Sequence, residues 1–176
     1  MSLLKSLRFP KYDCQLLEDG TLEIDAYYHN EELTEEITGP MVIPAMLGGY
    51  RVTSIGIDAF SYEFGSTDGI TLILQEGILR IRDYAFRDSN IKYAWLPDGL
   101  TEIGDFAFSD CSLLCIRIPE TAVKISPKAF LNLDCFDPKI VGKKGSYAET
   151  YARGRYRFED FDWDPYSEFG HPAQRF

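Results

Sequence analysis

The chain has 176 residues, a hydrophobic fraction of 45% and an aromatic fraction of 14%, enough apolar material for one packed domain and too much for a disordered chain. Its net charge of −10 comes without a basic stripe, which speaks against nucleic acid and against an anionic membrane surface. No run approaches the ~18 consecutive apolar residues of a membrane span, so no membrane insertion is expected.

In chain order, the opening "MSLLKSLRFPKYD" lacks the long apolar run of a secretory signal. Next, "LEDGTLEIDAYY" (17–28) places a Gly turn before Leu22 and Ile24, which alternate with Glu23 as in a hairpin strand. No Lys or Arg stands between Lys11 and Arg51, while Glu31, Glu32, Glu35 and Glu36 do; this reads as a solvated acidic stretch.

A repeat then takes over. The phrase I-x-x-x-A-F ends at Phe60, Phe86, Phe108 and Phe130, in steps of 26, 22 and 22; the longer first step fits a loop at 61–69. "YAWLP" ends at Pro97 and "CIRIP" at Pro119, again 22 apart, and Leu74, Leu96, Ile118 and Ile140 continue that series. Ile78, Leu100 and Ala122 mark a third repeated position, and "MVIP" (41–44) reads as a first copy followed by the insertion "AMLGGYR".

Short apolar runs ending at Pro predict strands, because Pro has no N–H for a ladder. Each Ala-Phe pair predicts a helical or 3-10 turn opposite, with Ala allowing close approach and Phe plugging the interior. One such coil cannot bury its own apolar face, but stacked coils can. The expected fold is therefore an α/β repeat solenoid with a short parallel β-sheet on one face. Pro138 predicts a last strand that pairs on only one edge.

"IGDFAFSDCSLLCIRIP" (103–119) is close to the whole 22-residue motif I-G-x-x-A-F-x-x-C-x-x-L-x-x-I-x-I-P, and the chain resembles the BspA-like leucine-rich-repeat family. The resemblance implies a right-handed coil with an N-terminal β-hairpin cap and a C-terminal capping helix. It places one domain over 1–158, with a cap at 12–40, repeats at 41–141 and a second cap at 142–158. It implies adhesion or interaction with other proteins at a cell surface or after secretion; the absent signal keeps a cytoplasmic location open. Departures include Arg82 where Gly is expected and Ser89 in place of Cys.

After the repeats, Tyr147, Ala148 and Tyr151 lie at helical spacing, and Ser146 with Glu149 forms a capping-box pattern. A strand-like "YRFED" follows. The aromatic, acidic tail 159–176 reads as packing back on the domain, or alternatively docking into another molecule.

Few residues invite chemistry. Asp160, Asp162 and Asp164 alternate like a calcium loop, but Pro165 and His171 occupy the positions that need Gly and Glu. Cys111 and Cys115 lack nearby His or Cys for zinc, since the only histidines are His29 and His171. The cysteines read as largely buried free thiols, with Cys115 on the outer side. No nucleophile or phosphate-loop motif is present. The expectation is a non-enzymatic protein with no cofactor and no metal.

Strand alternation points instead to a surface. Leu72, Leu74, Ala94, Leu96, Ile116 and Ile118 should face inward. One outer column should hold Val42, Ile73, Trp95, Arg117 and Lys139, and a second Thr71, Tyr93, Cys115 and Asp137. Trp, Tyr and Arg are the side chains enriched at binding hot spots. The predicted site is thus Trp95, Tyr93, Ile73, Arg117, Thr71, Val42 and Lys139, taking an unidentified protein partner. The chain itself is expected as a monomer or weak homo-oligomer; the alternative is a structural repeat protein that self-associates through this face or the tail.

Overall fold

A computed structural model describes residues 5–28, 40–63, 69–133 and 138–160. They form a parallel β-solenoid of about four turns. Strands β1 (Lys5–Phe9), β2 (Tyr12–Leu16) and β3 (Leu22–Tyr27) make an antiparallel meander. Then follow β4 (Met41–Ile43), β5 (Met46–Leu47) and β6 (Tyr50–Ile55). The repeating coils supply β7 (Ile70–Leu74), β8 (Arg80–Ile81), β9 (Ile91–Trp95), β10 (Glu102–Ile103), β11 (Cys115–Arg117) and β12 (Lys124–Ile125). The chain continues through β13 (Lys139–Gly142), the six-residue helix α1 (Tyr147–Ala152) and β14 (Arg157–Asp160).

Each coil contributes to two ladders, where one sheet was expected. The longer strands form a parallel six-stranded sheet in the order β14-β13-β11-β9-β7-β4. The two-residue strands β8, β10 and β12 extend from β6, which pairs in parallel with β3 of the meander. The insertion after β4 is a β5–β6 hairpin closed by Gly48 and Gly49, both at positive φ as a tight two-residue turn requires. A Cβ on Gly48 would lie 2.5 Å from the Phe9 ring.

The inner face follows the predicted alternation. Leu72, Leu74, Ala94, Leu96, Ile116 and Ile118 are all buried in the core, joined by Ile78, Leu100 and Ala122. Through its middle runs a column of stacked rings: Phe60, Phe86, Phe108 and Phe130, with centroids 5.2, 5.1 and 5.5 Å apart. Tyr27 stacks on Phe60 at 5.3 Å, with Tyr12 beside both rings. Tyr151 and Tyr156 meet Phe130 edge-on at the other end. Tyrosine suits that end: its ring covers apolar surface while its hydroxyl finds a partner. The hydroxyls of Tyr151 and Tyr156 donate to the carbonyls of Ser126 and Phe130, each at 3.0 Å.

The Ala-Phe turns contain no helix among the described residues. Asp58, Tyr84 and Phe106, each two residues before the Phe, are left-handed (φ 55°, 60° and 57°), which breaks the right-handed run a helix needs. The turned peptides offer amides to the next coil instead. The Phe60, Phe86 and Phe108 amides donate to the carbonyls of Ala85, Ala107 and Ala129 at 2.8, 2.9 and 2.8 Å. Left-handed non-glycine residues cost roughly 1 kcal/mol or more apiece, and these coil-to-coil bonds offset it.

Two further expectations need correction. Pro138 stands just before β13, and β13 pairs on both edges, with β11 and β14. Ser146 occupies the N-cap of α1 without a side-chain cap bond; Glu149 instead accepts from the Gly145 amide at 2.7 Å.

Cys14, Cys111 and Cys115 are free thiols, the first two fully buried; Cys135 lies outside the described residues. Burial, with Asp25 and Asp13 adding to it, pushes the Cys14 thiol up to about 12. Cys111 donates to the Phe86 carbonyl at 3.1 Å. In a Cys135→Ser background, a disulfide reagent should modify Cys115 first and leave Cys14 and Cys111 untouched until denaturant is added. Rapid native modification of all three would contradict the packing.

Candidate functional site

The candidate site is the outer face of the six-stranded sheet. Its parallel register lines up Val42, Ile73, Trp95, Arg117, Val141 and Glu159 in one column. The second column holds Thr71, Tyr93, Cys115, Lys139 and Arg157. All seven residues predicted for the site therefore share one face. Lys139 moves to the second column, because the last coil advances 24 residues, pairing Cys115 with Lys139 and Arg117 with Val141. Ile140 likewise takes the place of Ile116 rather than Ile118. Asp137 lies outside the described residues.

Trp95 lies on this face, not in the core, as its neighbours Ala94 and Leu96 do. Yet it is only 8% exposed, and Ile73 and Val141 are 1% and 3% exposed. The expectation of a water-facing Trp is thus corrected: alternation sets the side of a sheet a residue occupies, not what lies over it. Tyr93 is 41% exposed, and Val42, Thr71, Arg117 and Lys139 are half-buried.

Arg117 is the best-anchored group here. Its guanidinium sits over the Trp95 ring at 4.7 Å, donates to the Leu96 carbonyl at 2.8 Å and pairs with Asp98 at 2.7 Å. Planarity lets a guanidinium stack and donate at once, which an ammonium cannot do. Asp98 was not singled out from the sequence; it follows the Pro97 that ends the strand and turns back toward Arg117. Its amide donates to Glu76 at 3.1 Å, and burial raises that carboxyl.

Lys139 pairs with Glu159 at 2.9 Å, and Glu159 also meets Arg157 at 3.3 Å. Between them the Cys115 thiol is pushed up, chiefly by burial and against the opposing pull of Lys139. A protonated, half-buried thiol is a weak nucleophile. Beside Arg117 opens a cleft of about 600 Å³ lined by Asp98, Thr121, Lys143 and Asp160. Its Lys143 pairs with Glu120 at 2.6 Å.

A second aromatic–cation row, also missed in the sequence, runs along the turns. Arg87 lies over Tyr62 and Tyr84 at 4.9 and 5.2 Å, Tyr84 stacks on Phe106 at 5.1 Å, and Lys128 covers Phe106 at 5.5 Å. The only sequence signal was the aromatic at the second position of "DYAF" and "DFAF". Among the described residues there is no cluster of three metal-ligating side chains and no helix long and apolar enough to cross a membrane. Asp162 and Asp164 of the calcium-like stretch lie outside the described residues.

A solenoid with these paired ladders and inward Ala-Phe turns defines a leucine-rich-repeat protein. The BspA type leucine-rich repeat region matches residues 53–141 in 6 copies, and the chain belongs to that family. Among solved structures it is similar to the pneumococcal vaccine antigen PcpA, at 18% identity and a TM-score of 0.57, over 81% of this chain and 42% of that one. A leucine-rich repeat protein from Eubacterium ventriosum matches at 18% identity and a TM-score of 0.44, over 80% of this chain and 45% of that one. One from Bacteroides capillosus matches at 19% and 0.42, over 78% of this chain and 98% of that one. The chain thus spans less than half the length of the first two. No curated protein matches it.

Proposed function

We propose that the protein is a non-enzymatic protein-binding module that works through the outer face of its six-stranded sheet. Tyr93, Trp95 and Arg117 form the centre, and Thr71, Val42, Ile73 and Lys139 surround them. The observation that supports this most is the anchoring of Arg117 over Trp95 beside the exposed Tyr93. Anchors held in place before association lose little side-chain entropy on binding, and hot spots are built from these three residue types. Membership of a repeat family typical of surface and interaction proteins adds to it. We read β2 and β3, and α1 with β14, as the closing pieces of the repeat array.

The experiment is capture of partners from cell-surface and matrix extracts by wild type, Tyr93→Ala and Arg117→Ala, with Glu102→Ala on the other sheet as control. Loss with the first two variants and retention with Glu102→Ala supports the reading. Equal capture by all four removes it.

A further inference from the structure

We propose that the hollow between α1 and β12 is a binding site for a phosphate monoester with a small aromatic body, held by Arg153 and Arg155. The hollow has a volume of about 260 Å³. Ile125 and Pro127 come to it from β12 and the turn after it, Tyr147 and Thr150 from α1, and the two arginines from the turn that follows the helix. The first support is charge. No carboxylate lines this hollow. Two other clefts carry three each: Asp98, Glu120 and Asp160 in one, Asp83, Glu102 and Asp105 in the other. On a chain of net charge −10, a concave surface with two guanidiniums and no acid differs in sign from its surroundings.

The second support is the state of the arginines. Among the described residues neither forms an ion pair. The carboxylates close to them in sequence are engaged elsewhere: Glu149 accepts from the Gly145 amide at 2.7 Å, and Glu159 pairs with Lys139 and Arg157. Arg155 donates to the Pro127 carbonyl at 3.2 Å, which anchors its guanidinium at the hollow and leaves its other donors for a ligand. Arg153 is the C-cap of α1, where the carbonyl end of a helix favours a cation; that attraction uses none of its side-chain donors. Two guanidinium forks suit a tetrahedral oxyanion. Their two charges match the roughly −1.5 to −2 of a phosphate monoester near pH 7 better than the single charge of a carboxylate.

The third support is the apolar part of the lining. Tyr147 is 41% exposed, Pro127 is exposed, and Ile125 is buried behind them. An exposed tyrosine ring in a concave site offers a face for a second ring to pack on. Thr150 adds an exposed hydroxyl to the same lining. The volume falls just below the roughly 300–1,000 Å³ of sites for drug-sized ligands, so it suits one ring and its phosphate. A free ester and a phosphorylated tyrosine side chain share that chemistry.

The test is calorimetric titration of the full chain with phenyl phosphate at low ionic strength. A Kd below about 1 mM is expected, with inorganic phosphate, which lacks the ring, at least about fivefold weaker. Arg153→Gln and Arg155→Gln should each weaken phenyl phosphate at least tenfold. Tyr147→Ala should weaken it at least threefold and leave inorganic phosphate unchanged. Arg51→Gln, at an exposed cation outside the hollow, should bind like wild type. Thermal unfolding checks that each variant folds; if Arg155→Gln does not, because its bond to Pro127 is lost, Arg153→Gln decides alone. A phosphotyrosine flanked by glycines separates the sources: binding equal to phenyl phosphate assigns the site to a protein-borne phosphate, and tenfold weaker binding to a free ester. No heat of binding from phenyl phosphate up to about 10 mM would overturn the site. So would an equal loss with Arg51→Gln, which would reduce the effect to overall charge. Benzoate binding as tightly as phenyl phosphate would overturn the phosphate assignment. The outer face of the six-stranded sheet takes no part in this titration, so its outcome is independent of the binding reading above.

Discussion

Phe86→Ala lowers unfolding free energy by about 3–5 kcal/mol, the range for truncating a buried aromatic without collapse of the site. Phe86 is fully buried and stacked on both sides, on Phe60 and Phe108. The cavity cannot close easily, because the backbone beside it is fixed on both sides: the Phe60 amide bonds to Ala85 and the Phe86 amide to Ala107. In a stacked array each coil touches only its neighbours, so a hole in the middle also weakens coupling between the two halves. Urea unfolding should show a lower midpoint, and the transition should broaden as the halves begin to unfold separately. Phe86→Leu, which refills most of the volume, should recover more than half of the loss. A loss below 1 kcal/mol for Phe86→Ala would mean the ring column does not hold the coils together.

Trp95→Ala carries the second large effect, and it reaches both stability and recognition. A surface Trp would be a clean probe of binding alone. At 8% exposure, under the Arg117 guanidinium, Trp95 is instead part of a packed layer. Its removal should cost about 2–4 kcal/mol of folding free energy, from lost burial plus a cation–π contact of about 1 kcal/mol. Arg117 would keep its bonds to Asp98 and Leu96 but lose the ring it rests on. Tyr93→Ala, at an exposed position, should change stability by less than about 1 kcal/mol. In affinity for a captured partner, Tyr93→Ala should still cost at least 2 kcal/mol, roughly thirtyfold. Thermal unfolding beside affinity measurement separates the two. A Trp95→Ala chain as stable as wild type would show that the outer layer is not packed.

The inner face was legible because one residue type recurs at one spacing: Phe86, Phe108 and Phe130 each fall 22 residues apart and all reach the ring column. The second ladder was not, because Arg80–Ile81, Glu102–Ile103 and Lys124–Ile125 give one apolar residue each, too little for alternation to register. The left-handed turns were hidden for a different reason. Tyr84 and Phe106 carry no local signal for positive φ; the neighbouring coil's carbonyls impose it. The seven residues picked out by alternation share the outer side of one sheet because alternation is local. Lys139 was misplaced by one position in the ladder because the last coil is two residues longer, and a count of 22 carried past it. Burial of Ile73 and Trp95 was illegible, since alternation sets the side of a sheet a residue occupies and not what packs over it.

The most direct test of the working surface is hydrogen exchange of the full chain, free and with a captured partner. The account predicts new amide protection in β9 and β11, at 91–95 and 115–117, with β8, β10 and β12 unchanged. Protection that instead gathers at 80–81, 102–103 and 124–125 would place recognition on the other sheet and contradict it.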